Sequence, residues 1–333
     1  MERTTSFFSV CLIVTGAIIL ASPAVWAQQK GVKLKMATAM PESHPQAISL
    51  KYLSDRLGEV PGEQFDREVF TSGSVGSEDE ILESVSLGMV QIYMGATTSM
   101  ANGVPQLSIF DLPYLFKNRD HADKVLWGAI GDEITELSVK KGFRILGWAD
   151  FGFEGFYNSR RPITSLADMK GLKMRVMKTP LRIKAMNSYG SSAVPLAGSE
   201  TYGAVETKRI DGSEDSYETY RAGMQYEVAK YFTESDHIFP AATLIVNEKF
   251  YQSLSLKLKT VLRHACGLAS LRCRQLFEEK NTEAKKVVQQ KGAIVNVLPE
   301  AARRDFRKAV QPLYNDYSKT HGVRLLERIK AAE

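Results

Sequence analysis

Residues 172–212 read LKMRVMKTPLRIKAMNSYGSSAVPLAGSETYGAVETKRIDG, and this stretch decides the fold. Leu172, Met174 and Val176 alternate with Lys173, Arg175 and Met177, the period-two pattern of a strand. Thr179 followed by Pro180 marks a helix start, and Gly190 its stop. Residues 193–196 predict a second strand, 200–210 a second helix, and Asp211-Gly212 leads into a third strand. Strand, helix, strand, helix, strand predicts a mostly parallel α/β sheet.

The same plan lies upstream. Val32, Leu34 and Met36 alternate with polar residues, and Leu50, Leu53 and Leu57 recur at helical spacing. A strand over 65–70 precedes Ser77 and Glu80, a capping-box pair before Ile81, Leu82 and Val85. Gly88 ends that helix, and 90–95 predicts a third strand. Downstream, 241–246 predicts a strand, and 255–290 is one helical pattern far above the usual length, with Gly267 placed to bend it. A helix that long reaches across two domains. A late strand over 294–297 and C-terminal helices from Pro299 complete the chain. Ordered strands near Asp150 and His237 are the expected domain crossings.

With 333 residues, the chain exceeds what one hydrophobic core usually holds. Hydrophobic residues at 44% and charged residues at 24% argue against disorder. The net charge of +5 is spread along the chain, without the basic stripe of a nucleic-acid binder. Arg3, the apolar run from Phe7 to Leu20, Pro23 and the small residues Val25 and Ala27 predict a cleaved signal peptide over 1–27. Export to the periplasm follows. Two cysteines then remain, Cys266 and Cys273, two helical turns apart. That is about 10 Å along one face, beyond disulfide reach, and both read as small buried hydrophobes.

Local catalytic and metal motifs are lacking. The histidines at 44, 121, 237, 264 and 321 show no metal-ligand spacing, and no phosphate loop, G-x-S-x-G or H-E-x-x-H occurs. Neither metal nor cofactor is expected, and the chain reads as a binding protein and not an enzyme. The candidate site rests on Arg175. It lies near a strand's carboxyl end, where α/β sheets bind ligands, and faces away from Leu172, Met174 and Val176. A guanidinium suits bidentate recognition of a carboxylate. From Arg160 to Lys184 there are eight basic residues and one acid, Asp168. Apart from Arg175, these read as a solvated surface.

The segments GFYNSRRPITSLADMKGLKMRVMKTP, AVPL, ETYGAVETKRIDGSED and YEVAKYF, with ESHP, GSVGSEDEILESVSLGMVQI and SIFDLPYLFKNRDHADKVLWGAIGDEI before them, carry a resemblance. In this order they resemble the DctP-type solute-binding proteins of tripartite ATP-independent periplasmic (TRAP) transporters, from about residue 31 to beyond 250. The resemblance implies a two-lobed periplasmic binding protein, type II-like, with hinge strands and a long helix spanning both lobes. Lobe I would hold 28–150 plus about 237–277, and lobe II 151–236 plus about 278–333. It implies a small organic acid as ligand, its carboxylate on Arg175, and the membrane subunits of a TRAP transporter as partners of a monomeric protein. Contact positions would fall at His44, Glu78, Thr97, Phe153, Asp215 and Tyr217.

Two positions depart from the family pattern. Glu154 stands where many relatives have arginine, and Asp215 where many have asparagine. Facing the cleft, both favour a ligand with one anionic end and a far end bearing hydroxyl or amino groups. Alternatively, Glu154 turns to solvent and pairs with Arg160 or Arg161. Purely structural roles stay open for several residues: His44 as a helix cap, Phe153 and Phe156 as core, Glu78 as a helix N-terminal acid, Tyr217 and Tyr220 as hinge cover. The rival functions are a secreted hydrolase, which requires a nucleophile–base pair in the cleft, and a ligand sensor for a signalling partner.

Overall fold

A computed structural model describes residues 31–60, 65–101 and 103–332. The expected signal segment over 1–27 lies outside the described residues. The described residues form eleven strands: β1 (Val32–Ala37), β2 (Phe65–Phe70), β3 (Ile92–Ala96), β4 (Phe143–Asp150), β5 (Glu154–Asn158), β6 (Lys173–Val176), β7 (Ser192–Pro195), β8 (Gly212–Asp215), β9 (Tyr231–Ile238), β10 (Ala241–Asn247) and β11 (Ile294–Val297). They build two sheets, ordered β2-β1-β3-β10-β4 and β11-β9-β5-β8-β6-β7.

The expected parallel sheets are mixed. β1 pairs in parallel with β2 and β3, and β6 with β7 and β8, as the strand–helix–strand units require. β10 runs antiparallel to β3 and β4, and β5 antiparallel to β8 and β9. Each of these two strands enters its sheet directly from the other sheet. Residues 151–153 link β4 to β5, and 239–240 link β9 to β10.

The helix Leu256–Gln290 has 35 residues and runs through Gly267 without interruption. It packs on the helix Pro45–Gly58 and β4 toward one end, and on the helix Tyr217–Ala222 toward the other. Leu258, Leu262, Ala265, Ala269 and Phe277 form its buried stripe, joining Leu50, Leu53, Leu34 and Leu244 in one core. Burial of a side chain such as Leu262 or Phe277 contributes about 1.5–3 kcal/mol. Cys266 and Cys273 lie on the same stripe, buried and unbridged.

Asn281 on this helix fixes the link between sheets. Its Nδ2 donates to the Phe151 carbonyl at 3.0 Å, and its Oδ1 accepts from the Glu218 backbone N–H at 2.8 Å. Gly152 turns there with φ +77°, and a Cβ on it would lie 2.6 Å from Asn281 Nδ2. Only glycine fits that turn. The helix Glu300–His321 packs on Pro180–Ser188, and Arg324–Ala331 on Ala129–Val139. Among the described residues no helix is long and apolar enough to cross a membrane.

Candidate functional site

A cavity of about 300 Å³ lies where strand ends from both sheets converge, at the lower end of small-molecule sites. Met40 and His44 follow β1, Ser72 and Glu78 follow β2, and Ala96 ends β3. Arg175 comes from β6, Ala197 and Gly198 follow β7, Asp215 ends β8, Glu154 opens β5, and Phe151 and Pro240 belong to the links. Ligand sites form outside the carboxyl ends of such strands because the loops there are free to vary.

Arg175 is 6% exposed. The register of β6 sets it opposite Val194 on β7, and its Nε donates to the Leu196 carbonyl at 3.0 Å. Among the described residues it forms no ion pair. Met174 and Val176, its strand neighbours, are fully buried. Glu78 opens the helix Glu78–Ser86, next to the Ser77–Glu80 capping box, and also lines the cavity. Burial raises the Glu78 pKa, against the pull of the Arg175 charge. His44 likewise serves twice. It caps the helix Pro45–Gly58 by accepting from the Gln46 N–H, and it lines the cavity. Its Nε2 lies 3.5 Å from Thr219 Oγ1, a contact between the β1 loop and the helix after β8. Burial pushes the imidazole down to about 3, so it is neutral at pH 7.

The solvated-surface expectation for the basic run fails at Arg182. That side chain is 2% exposed and borders the cavity. Its Nε donates to Asp111 Oδ1 at 3.1 Å; its Nη1 donates to Glu154 Oε2 at 3.0 Å and to Glu214 Oε1 at 2.9 Å. The alternative that Glu154 turns to solvent fails with it. Glu154 is 8% exposed, while Arg160 pairs with Asp211 and Arg161 with backbone carbonyls. A buried guanidinium needs charge partners, and β5 supplies this one. Burial raises the Glu154 pKa although Arg182 opposes it. Burial also works against the Glu214 charge, but Arg182 and His237 hold its pKa below the ordinary value. The ligand atoms of Glu154, Glu214 and His237 lie within 4.8 Å of one another, yet Arg182 Nη1 already occupies the cation position between the two glutamates.

Asp215 lines the cavity and accepts a hydrogen bond from Tyr157 Oη at 3.1 Å. Burial, then the Glu154 charge, push its carboxyl up to about 8. Both departures from the family pattern therefore border the cavity.

Thr97, Phe153 and Tyr217 stand apart from the cavity wall. Thr97 Oγ1 donates to the Ala241 carbonyl. Phe153 packs on Phe239 at 4.9 Å between ring centres, and Phe156 is core. Tyr217 stacks on Phe232 and donates to Glu234, and Tyr220 is buried with its hydroxyl on the Ala229 carbonyl. Sequence reasoning missed Arg182, Glu214, Thr219 and Gln225. A nucleophile–base pair does occur: Ser235 Oγ lies 2.8 Å from His237 Nδ1, and His237 Nε2 2.9 Å from Glu214 Oε2. Ser235 and His237 are fully buried and outside the cavity wall, out of reach of a substrate held there.

The family model described as bacterial extracellular solute-binding protein, family 7 (DctP), matches residues 36–320. The chain is 26% identical over 300 residues to the 2,3-diketo-L-gulonate-binding periplasmic protein of Escherichia coli K12, covering 89% of this chain and 90% of that protein. It is 28% identical over 269 residues to the C4-dicarboxylate-binding periplasmic protein DctP of Rhodobacter capsulatus, 80% of each. A TRAP periplasmic solute-binding protein from Roseobacter denitrificans, solved with bound β-D-glucuronate, superposes with a TM-score of 0.87 at 27% identity, over 90% of this chain and all of that one. The family match takes in the end of β1 and all of β2 to β11, strands of both sheets. The chain belongs to family 7 of the bacterial extracellular solute-binding proteins, the DctP family.

Proposed function

We propose that this protein captures a small organic anion in the periplasm and delivers it to the membrane subunits of a TRAP transporter. The observation that carries the reading is Arg175, nearly buried in the cavity wall and without an acidic partner among the described residues. A desolvated guanidinium in that state is an anion site. Relatives that bind a diketo-sugar acid, a C4-dicarboxylate and glucuronate support the ligand class. Lobe I would hold 28–150 with about 237–277, and lobe II 151–236 with about 278–333; the anion bridges them and favours the closed form. Glu78, His44, Glu154 and Asp215 complete the contacts.

A thermal-shift screen of uronates, aldonates, dicarboxylates and sulfonates tests this. At 100 times its dissociation constant a ligand stabilises by about 2.7 kcal/mol. Stabilisation by at least one acid is expected, and its absence across all four classes refutes organic-anion capture. The mass of the exported protein should correspond to a chain starting at Gln28; a full-length mass in the periplasm refutes cleavage there.

A further inference from the structure

We infer that the wall formed by Glu154 and Asp215 selects acids with a single anionic group and a hydroxyl-bearing far end over their dicarboxylate counterparts. This rests on the organic-anion reading of the cavity. Arg175 provides for one ligand carboxylate. Arg182, the second guanidinium of the wall, is already shared by Asp111, Glu154 and Glu214, so it offers no unmatched charge to a second. Glu154 and Asp215 border the same space, and ionised carboxylates only accept hydrogen bonds. Both keep acceptor oxygens, Asp215 also while protonated, and hydroxyl groups match them.

The charge balance points the same way. Glu154 and Tyr157 from β5, Arg175 from β6 and Glu214 from β8 act on Asp215, with Arg182 on the far side of Glu154 and His237 on the far side of Glu214. Burial and the neighbouring Glu154 carboxylate push Asp215 up to about 8, so the wall resists even its own second negative charge. A ligand carboxylate would add a further one. While Asp215 keeps its proton it donates one hydrogen bond to such a group. Loss of that proton as pH rises through about 8 removes the donor and adds a repulsion.

Two ligand pairs differ only in a far-end hydroxymethyl against a carboxylate: D-gluconate with D-glucarate, and L-threonate with L-tartrate. Titration calorimetry and thermal shift on the mature chain should show the monocarboxylate of a bound pair at least tenfold tighter at pH 7. The gap should widen at pH 9. Glu154→Gln should narrow it at least threefold at pH 7, and Asp215→Asn should do so at pH 9, where the wild-type carboxyl is ionised, the one serving if the other fails to fold. A dicarboxylate that binds as tightly as its partner, or a ratio unmoved by both variants, overturns the selectivity and leaves organic-anion capture standing. Failure of all four acids to bind overturns the selectivity alone if another acid of the wider screen stabilises the protein, and overturns organic-anion capture as well if none of its four classes does.

Discussion

Replacing Arg175 by alanine removes the guanidinium of the cavity wall that forms no ion pair among the described residues. Its Nε is held by the Leu196 carbonyl, so the side chain is already oriented and little entropy is lost when an anion arrives. Truncating one partner of a desolvated charge pair costs about 2–5 kcal/mol, which corresponds to roughly thirty- to several-thousand-fold in affinity. Folding should suffer far less, because only the Leu196 hydrogen bond is lost, about 1 kcal/mol, and a buried charge without an acidic partner disappears with it. Arg175→Lys keeps the charge but not the planar fork, and should fall between wild type and alanine. Calorimetry with the tightest acid from the screen reads the affinity, and urea unfolding of the free protein reads stability. An Arg175→Ala protein that folds normally and binds within threefold of wild type refutes Arg175 as the anion anchor. A variant that fails to fold refutes the view that the guanidinium serves the ligand more than the fold.

Arg182→Met should be the reverse case, destabilising the free protein by about 3–5 kcal/mol because Asp111, Glu154 and Glu214 lose their shared cation; a urea midpoint within 10% of wild type argues against this. Asp215 has a folded pKa of about 8 against an ordinary 3.8, so between those values the folded state binds more protons than the unfolded state, and stability falls as pH rises. Asp215→Asn should therefore gain stability relative to wild type progressively from pH 4 to pH 8 and no further above it, as read from thermal midpoints; a difference independent of pH would contradict the shift. Asn281→Ala removes both bonds that tie the Phe151 link to the Glu218 amide, and small-angle scattering should show a more open free protein that ligand closes less completely. Unchanged scattering profiles would place closure elsewhere.

Period-two alternation made β6 legible and with it Arg175, since one face of a strand is settled by its neighbours Met174 and Val176. The capping chemistry of Ser77–Glu80 and of His44 was legible for the same reason, being local. Arg182 was not. It lies two residues after Pro180 on a helix whose apolar and polar residues do not separate cleanly, beside Leu181, Ile183 and Lys184, and its burial depends on carboxylates 71, 28 and 32 positions away. Glu214 stood inside the motif DGSEDSY, but its tie to His237 depends on β8 and β9 flanking β5. The antiparallel insertion of β5 and β10 was equally hidden, because strand direction within a sheet is a property of topology and leaves no mark on alternation. Thr97, Phe153 and Tyr217 lie close in sequence to cavity residues, yet each is turned toward a link or a neighbouring strand.

The helix Leu256–Gln290, at 35 residues, is about 52 Å long. It bears on elements of both sheets, and so works mechanically as a beam shared by two moving bodies. Any swing of one sheet against the other must either flex this beam or slide along it, since the covalent links at 151–153 and 239–240 are too short to take up much travel. Its stiffness then helps set the elastic cost of opening. Gly267 is not where it yields between the sheets, because Leu262, Cys266, Ala269 and Cys273 on both sides of that glycine belong to one core with Leu34 and Leu50.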